Sequence, residues 1–146
     1  AKAAFALTKQ RSNHPFLLLA ADTMVVYHNK AIGKPSNSNE AFEFLKLLSR
    51  TVHEVKTGLI VIESTHGHEV SHVETSQVYF RHLSEDEIWT YIQSGEPMDK
   101  AGAYAIQGLG GAFVEKFVGD YQNIVGLPLK AFENILLQQR WQVKKS

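Results

Sequence analysis

Asp22 follows Phe16-Leu17-Leu18-Leu19-Ala20-Ala21, an apolar run bounded by Pro15 that reads as a strand buried on both faces. An ionised carboxylate in that place is costly unless it meets a cation, a metal or hydrogen-bond donors. The carboxyl ends of strands are where ligands bind in open α/β sheets. An Asx turn closing the strand is the competing reading of Asp22, and Thr23 also fits as an ordinary β-branched strand residue. A lysine on a short turn comes soon after, in Gly33-Lys34-Pro35. It suits either an anion or plain solvent.

A second concentration of chemistry lies between Glu96 and Gly111, where Gly and Ala are dense around Asp99, Lys100 and Gln107. Small residues let backbone N–H groups approach a ligand, and Lys supplies a point charge suited to phosphate. The glycines do not form a dinucleotide fingerprint, because Phe113 stands where the third glycine belongs, and the spacing is not that of a Walker loop. A flexible loop explains the composition equally well. The segment from Gly119 to Leu129 leads into a last helix whose N-terminus would attract anions, or serve only to begin the helix.

His68-Glu69-Val70-Ser71-His72 matches the zincin string. That chemistry needs a helix, where residues i and i+4 share a face. Gly67 before the string and Val70, Val73, Thr75, Val78 and Tyr79 within and after it favour a strand. In a strand His68 and His72 lie roughly 13 Å apart at Cα, whereas two imidazoles on one zinc bring their nitrogens within roughly 3.5 Å. A solvated hairpin flank is the expectation here.

The elements that must position these groups alternate. A broken helix over 1–10 precedes the Asp22 strand, Met24-Val25-Val26-Tyr27 continues extended, and His28-Asn29-Lys30 turns the chain into Ala31-Ile32. Asn37 and Glu40 have capping-box spacing ahead of a helix whose core face is Ala41, Phe44, Leu45 and Leu48. Val52–Ile62 and Val70–Phe80 read as two strands joined near Gly67. Ser84 and Glu87 cap a short helix bearing Ile88, Tyr91 and Ile92 and ending at Gly95, and Pro128 opens a final helix with Leu129, Phe132 and Leu136 on its apolar face. The predicted class is α/β: a mixed, twisted sheet flanked by helices.

At 146 residues the chain has the size of one domain, and 44% hydrophobic with 21% charged residues is ordinary globular composition. Fifteen basic residues balance fifteen acidic ones, which argues against a nucleic-acid polymer held by bulk charge. A local basic pocket for a phosphorylated small molecule remains open. The absence of cysteine removes disulfides, zinc ribbons and thiol catalysis. No apolar run approaches the roughly 18 residues that cross a bilayer. Nothing points to secretion, and a cytoplasmic location is expected.

Taken in order, the segments resemble the Maf family of nucleoside triphosphate pyrophosphatases, whose fold is similar to that of the inosine triphosphatases. The matching residues are Ala21-Asp22-Thr23 with Val25-Val26, Gly33-Lys34-Pro35, His53-Glu54-Val55 with Thr57-Gly58, and Glu96-Pro97 with Asp99-Lys100-Ala101-Gly102-Ala103-Tyr104. Ile106-Gln107-Gly108, Tyr121, Asn123 and Gly126-Leu127-Pro128-Leu129 complete the set, which spans nearly the whole chain. The resemblance implies that Asp22 is the catalytic acidic residue, the proton acceptor; holding a divalent cation, Mg²⁺ or Mn²⁺, that lowers the pKa of a bound water is the other role open to the same carboxylate. It implies that Thr23 and Gln107 set base preference, that Ile106-Gln107-Gly108 marks the dTTP/UTP branch rather than the 7-methyl-GTP branch, and that Lys34, Asp99, Lys100 and Lys2 belong to the substrate site. The implied reaction yields a monophosphate and pyrophosphate in a house-cleaning role. A non-catalytic nucleotide-binding regulator linked to septum formation, and a plain α/β interaction module, are the alternatives. A homodimer is plausible by the same likeness.

Two departures accompany the match. The family's N-terminal Ser-x-x-Arg-Arg loop and an acidic residue after it have no counterpart, and Ser49-Arg50-Thr51-Val52-His53 differs from the usual Gly-Arg-Thr-His. The expectation is a single domain over 1–146 that lacks its first strand and helix, with a degenerate member as the other reading.

Overall fold

The computed structural model describes residues 6, 8–10 and 13–143 of the chain. Residues 8–10 are helical, while Lys2 and most of the helix expected over 1–10 lie outside the described residues. Strands β1 (Leu17–Tyr27) and β2 (Lys30–Ile32) join through His28 and Asn29, whose φ values of 48° and 62° make a tight hairpin turn. His and Asn are among the few non-glycine types that tolerate that region.

Helix α1 (Ser38–Leu48) follows. Asn37 Oδ1 accepts the amide of Glu40 at 2.9 Å, but the Glu40 carboxylate takes its donors from Ser36, so only half of the expected capping box forms. Its buried face is Ala41, Phe42, Leu45 and Leu48, with Phe44 only partly buried. Strands β3 (Val52–Glu63) and β4 (Glu69–Phe80) form the long hairpin, turned at Gly67 with φ 71°. Helix α2 (Glu85–Gln93) carries both halves of the Ser84–Glu87 box and buries Ile88, Tyr91 and Ile92. Three short 3₁₀ turns (Glu96–Asp99, Ala101–Ala103 and Leu109–Phe113) lead to β5 (Val114–Val118), α3 (Tyr121–Val125) and α4 (Leu129–Gln139).

The sheet runs β2-β1-β3-β4-β5, and every pairing among the described residues is antiparallel. The α/β class and the flanking helices are as expected. One face carries the core: Val25, Val55, Val78 and Phe80 pack with α1 and α2, and Leu59 and Val61 pack with Ala131 and Ile135 of α4. Ala131 and Ile135 thus centre the face of α4, whereas Leu129 is exposed. On the other face Met24, Val52 and Val73 are exposed.

The Asp22 strand differs from its expectation. β3 is long enough to pair with β1 from Leu17 through Val26, so the two apolar segments fuse into one strand. Asp22 stands mid-strand opposite Gly58 rather than at a strand end, and Ala21 and Asp22, which point to opposite faces of β1, are both exposed. His68 and His72 lie in the β3–β4 turn and in β4, with no helix between them, and His72 Nε2 meets Glu74 at 2.8 Å.

Candidate active site

A cavity of about 380 Å³ opens where β1, the Gly33-Lys34-Pro35 turn, the 3₁₀ segment and α3 converge. Its size falls in the usual range for small-molecule sites, about 300–1,000 Å³. Thr23, Lys34, Asp99, Lys100 and Gln107 all line it, beside the apolar surfaces of Val25, Tyr104, Ile106, Ile124 and Val125.

The polar floor is built across the sheet. Thr23 and Thr57 are register partners on β1 and β3 with their hydroxyl oxygens 2.8 Å apart. Thr23 also reaches the carbonyl of Gly126 at 3.3 Å, and Thr57 that of Asn123 at 3.3 Å. Asn123 is fully buried and donates its side-chain amide to Val55 O, Glu74 O and Ser76 Oγ. It therefore ties α3 to the middle of the sheet. Tandem β-branched residues extend the strands, and their hydroxyls satisfy the Asn123 and Gly126 carbonyls.

The lysine side is assembled by backbone contacts. The amide of Gly102 donates to the carbonyl of Gly33 at 3.1 Å, clamping the two loops that carry Lys34 and Lys100. Gly102 has φ 73°, and a Cβ there would lie 2.8 Å from Val25, so glycine is needed on both counts. Lys100 Nζ meets Asp99 Oδ1 at 3.0 Å, whereas Lys34 has no ion pair among the described residues. The Lys100 ammonium, with Lys34 nearby, holds the Asp99 carboxyl below the usual carboxylate range. Two lysines against one carboxylate leave this side of the cavity positive.

The wall behind is aromatic. Tyr104 OH and His53 Nε2 are 2.7 Å apart, and both residues are buried. Burial lowers the His53 pKa to about 4 and raises that of the Tyr104 hydroxyl, so both are neutral near pH 7. Farther along, burial favours protonation of Glu96. The Tyr91 hydroxyl and the amides of Gly110 and Leu109 outweigh it, and the carboxyl ends below its ordinary range.

Asp22 is adjacent in sequence to Thr23 but does not line the cavity. Consecutive strand residues point to opposite faces, so its carboxylate leaves from the other side of β1. It is exposed and has no hydrogen bond or ion pair among the described residues, which removes the desolvation cost its strand had suggested. Among the described residues nothing lies within 4 Å of the place a Cβ on its register partner Gly58 would occupy, which leaves room beside the carboxylate. Among the described residues only β3 pairs with β1 at this level, because β2 reaches no farther than Val25. A lone accessible carboxylate with space around it fits Mg²⁺-type binding, which commonly uses one or two carboxylates together with substrate phosphates. No group of three or more His, Cys, Asp or Glu side chains able to hold a metal occurs among the described residues.

Five of the seven residues expected in the site therefore meet in one cavity. Asp22 stands at its edge on the opposite face of β1, and Lys2 lies outside the described residues. Thr57, Glu96 and Asn123 have structural parts in the site that the sequence did not assign. The signal was present in principle: each is a polar residue within or next to an apolar or glycine-rich run, a place that demands a partner.

No helix among the described residues is long and apolar enough to cross a membrane. The chain is 51% identical over 136 residues to a dTTP/UTP pyrophosphatase of Bdellovibrio bacteriovorus, covering 93% of this chain and 71% of that protein. It is 50% identical over 114 residues to the dTTP/UTP pyrophosphatase of Alkaliphilus oremlandii and 52% identical over 113 residues to that of Thermococcus onnurineus. Those matches cover 78% and 77% of this chain, and the chain spans only 59% and 60% of those two relatives. Residues 1–139 match the Maf-like protein family, and the chain belongs to the Maf family.

Proposed function

We propose that the protein is a nucleoside triphosphate pyrophosphatase acting on dTTP and UTP, and that the cavity holds the nucleotide. The observation that carries this reading is the convergence of Thr23, Lys34, Asp99, Lys100 and Gln107, from three separate segments, on one cavity. The names of the relatives, each matched at about half identity, support the substrate class.

In this reading a water attacks the α-phosphorus, the bond to the α–β bridging oxygen breaks, and pyrophosphate leaves with that electron pair. Asp22 accepts the proton of the attacking water, the triphosphate running from the cavity past the edge of β1 that β2 leaves uncovered, to the face on which this carboxylate stands. Lys34 and Lys100 offset the charge of the phosphates, the larger part of catalysis in phosphoryl transfer being positioning and charge neutralisation. A divalent cation held by the Asp22 carboxylate, when bound, would neutralise phosphate charge and polarise the phosphoryl group. The base lies toward the apolar wall, where the Gln107 amide, both donor and acceptor, reads the O4/N3 edge of a pyrimidine. A wrong base leaves those polar groups unpaired, the condition that gives hydrogen-bonding sites strong selectivity. A cytoplasmic nucleotide pool is the natural supply of such substrates.

Product analysis across the nucleoside triphosphates, with Mg²⁺ or Mn²⁺, tests the proposal. It requires monophosphate and pyrophosphate in equal amounts, with dTTP and UTP preferred. Diphosphate with orthophosphate, or no turnover of any triphosphate, contradicts it.

A further inference from the structure

Glu96 takes no part in the reaction proposed above, yet three donors converge on its carboxylate. Leu109 N donates to Oε1 at 3.0 Å, Gly110 N donates to Oε2 at 3.0 Å, and the Tyr91 hydroxyl donates to Oε2. The Tyr91 oxygen in turn accepts the amide of Ala105 at 3.2 Å. The two ends of the stretch 105–110 are thus fastened to a single Tyr–Glu pair, and Ile106 and Gln107, between the fastenings, line the cavity.

The glycines answer to the same pair. A Cβ on Gly108 would lie 1.9 Å from Glu96 Oε1, and one on Gly110 would lie 2.8 Å from the Tyr91 hydroxyl. Gly108 has φ −105°, a value open to any residue, so the carboxylate and not the backbone excludes a side chain there. A carboxylate is the side chain suited to this place. It only accepts, whereas an amide would turn an N–H₂ toward one of the converging N–H or O–H donors.

We propose that Glu96, acting with Tyr91, is a positioning residue that sets base selectivity by fixing where the Gln107 amide stands in the cavity. The proposal rests on Gln107 reading the base, as set out above. The donors that hold Glu96 below the ordinary carboxylate range keep it ionised near neutral pH, so the clamp persists under the conditions of turnover.

Glu96→Gln and Tyr91→Phe in the full chain test it through two separate readouts. The first is amide hydrogen exchange at Leu109 and Gly110, which needs no turnover: both amides lose protection in Glu96→Gln, and Ala105 loses it in Tyr91→Phe. The second is the ratio of kcat/KM for dTTP to that for dCTP and dGTP. It falls by about tenfold or more in Glu96→Gln, the scale expected when a binding group is misplaced, and it falls no further when Gln107→Ala is added. Unchanged protection overturns the clamp whether or not the wild-type protein turns over any nucleotide. Lost protection with a uniform fall for every base overturns the selectivity role and leaves a merely structural brace. Absence of wild-type turnover, with the protection changes as expected, overturns the function proposed above and with it the selectivity role. Where Glu96→Gln does not fold, Tyr91→Phe decides by the same two readings, with Ala105 as the amide followed.

Discussion

Thr23 and Thr57 share two hydroxyl protons among three contacts: their own 2.8 Å pair, the Gly126 carbonyl and the Asn123 carbonyl. Thr57 is fully buried and Thr23 only partly, so the direction of the inner hydroxyl governs what the outer one presents to the cavity. When Thr57 donates to Asn123, Thr23 is free to donate to Thr57 and to accept from a ligand. When Thr57 donates to Thr23, the outer proton goes to Gly126. This floor is a small polar network in which each member depends on the others.

Thr57→Val keeps the shape and removes the inner hydroxyl. Its loss removes one of two donors from the Asn123 carbonyl, which keeps the Gly126 amide, and stability is expected to fall by about 0.5–1.5 kcal/mol. Chemical denaturation of the variant beside the wild type checks the figure. An unchanged midpoint would show that the Thr57 hydroxyl contributes nothing to holding α3 against the sheet.

Gln107 is exposed at the cavity wall, so its replacement is expected to change stability by no more than about 0.5 kcal/mol. Gln107→Glu removes the donor half of the amide and is expected to change the dTTP to dCTP preference by about tenfold or more. Steady-state kinetics on the two substrates measure the ratio. An equal loss on every nucleotide would assign Gln107 to loop structure instead.

Acid should act through the His53–Tyr104 pair. Burial lowers the His53 pKa from 6.5 to about 4, so between those values the unfolded chain binds a proton that the folded chain does not. The contribution is complete above pH 6.5 and is lost as pH falls toward 4, amounting to something on the order of 3 kcal/mol. His53→Phe is expected to flatten that stretch of the stability–pH profile relative to the wild type. A slope unchanged by the substitution would place the titration elsewhere.

Local signals carried most of the fold. The reciprocal Ser84–Glu87 box, the His28-Asn29 turn, and the Gly67 hairpin formed where the residue chemistry placed them, because caps and turns are decided by neighbours in sequence. Burial was legible only in part. Phe42 fills the core beside Phe44, and Ala131 and Ile135 displaced Leu129 and Leu136 from the centre of the α4 face, because packing against a twisted sheet rather than helical periodicity selects the face. The fusion of the Asp22 strand with the segment after it depended on the length of β3, a partner some thirty residues away. In the site, lysines and glutamine announced themselves by type. Glu96 stood in the matched Glu96-Pro97 pair without a role, because its importance lies in the backbone amides it gathers, and those depend on the path of the later loop.

The central claim is that the Asp22 carboxylate drives cleavage at a cavity bound by Thr23, Lys34 and Gln107. Because Asp22 is exposed and unpaired among the described residues, Asp22→Asn should leave folding unchanged. Pyrophosphate release from dTTP by Asp22→Asn and wild-type protein, at saturating nucleotide and divalent cation, tests the claim most directly. A fall of about 10²–10⁴-fold, with dTTP still bound, is the result expected for loss of a general base. Release at the wild-type rate would contradict it.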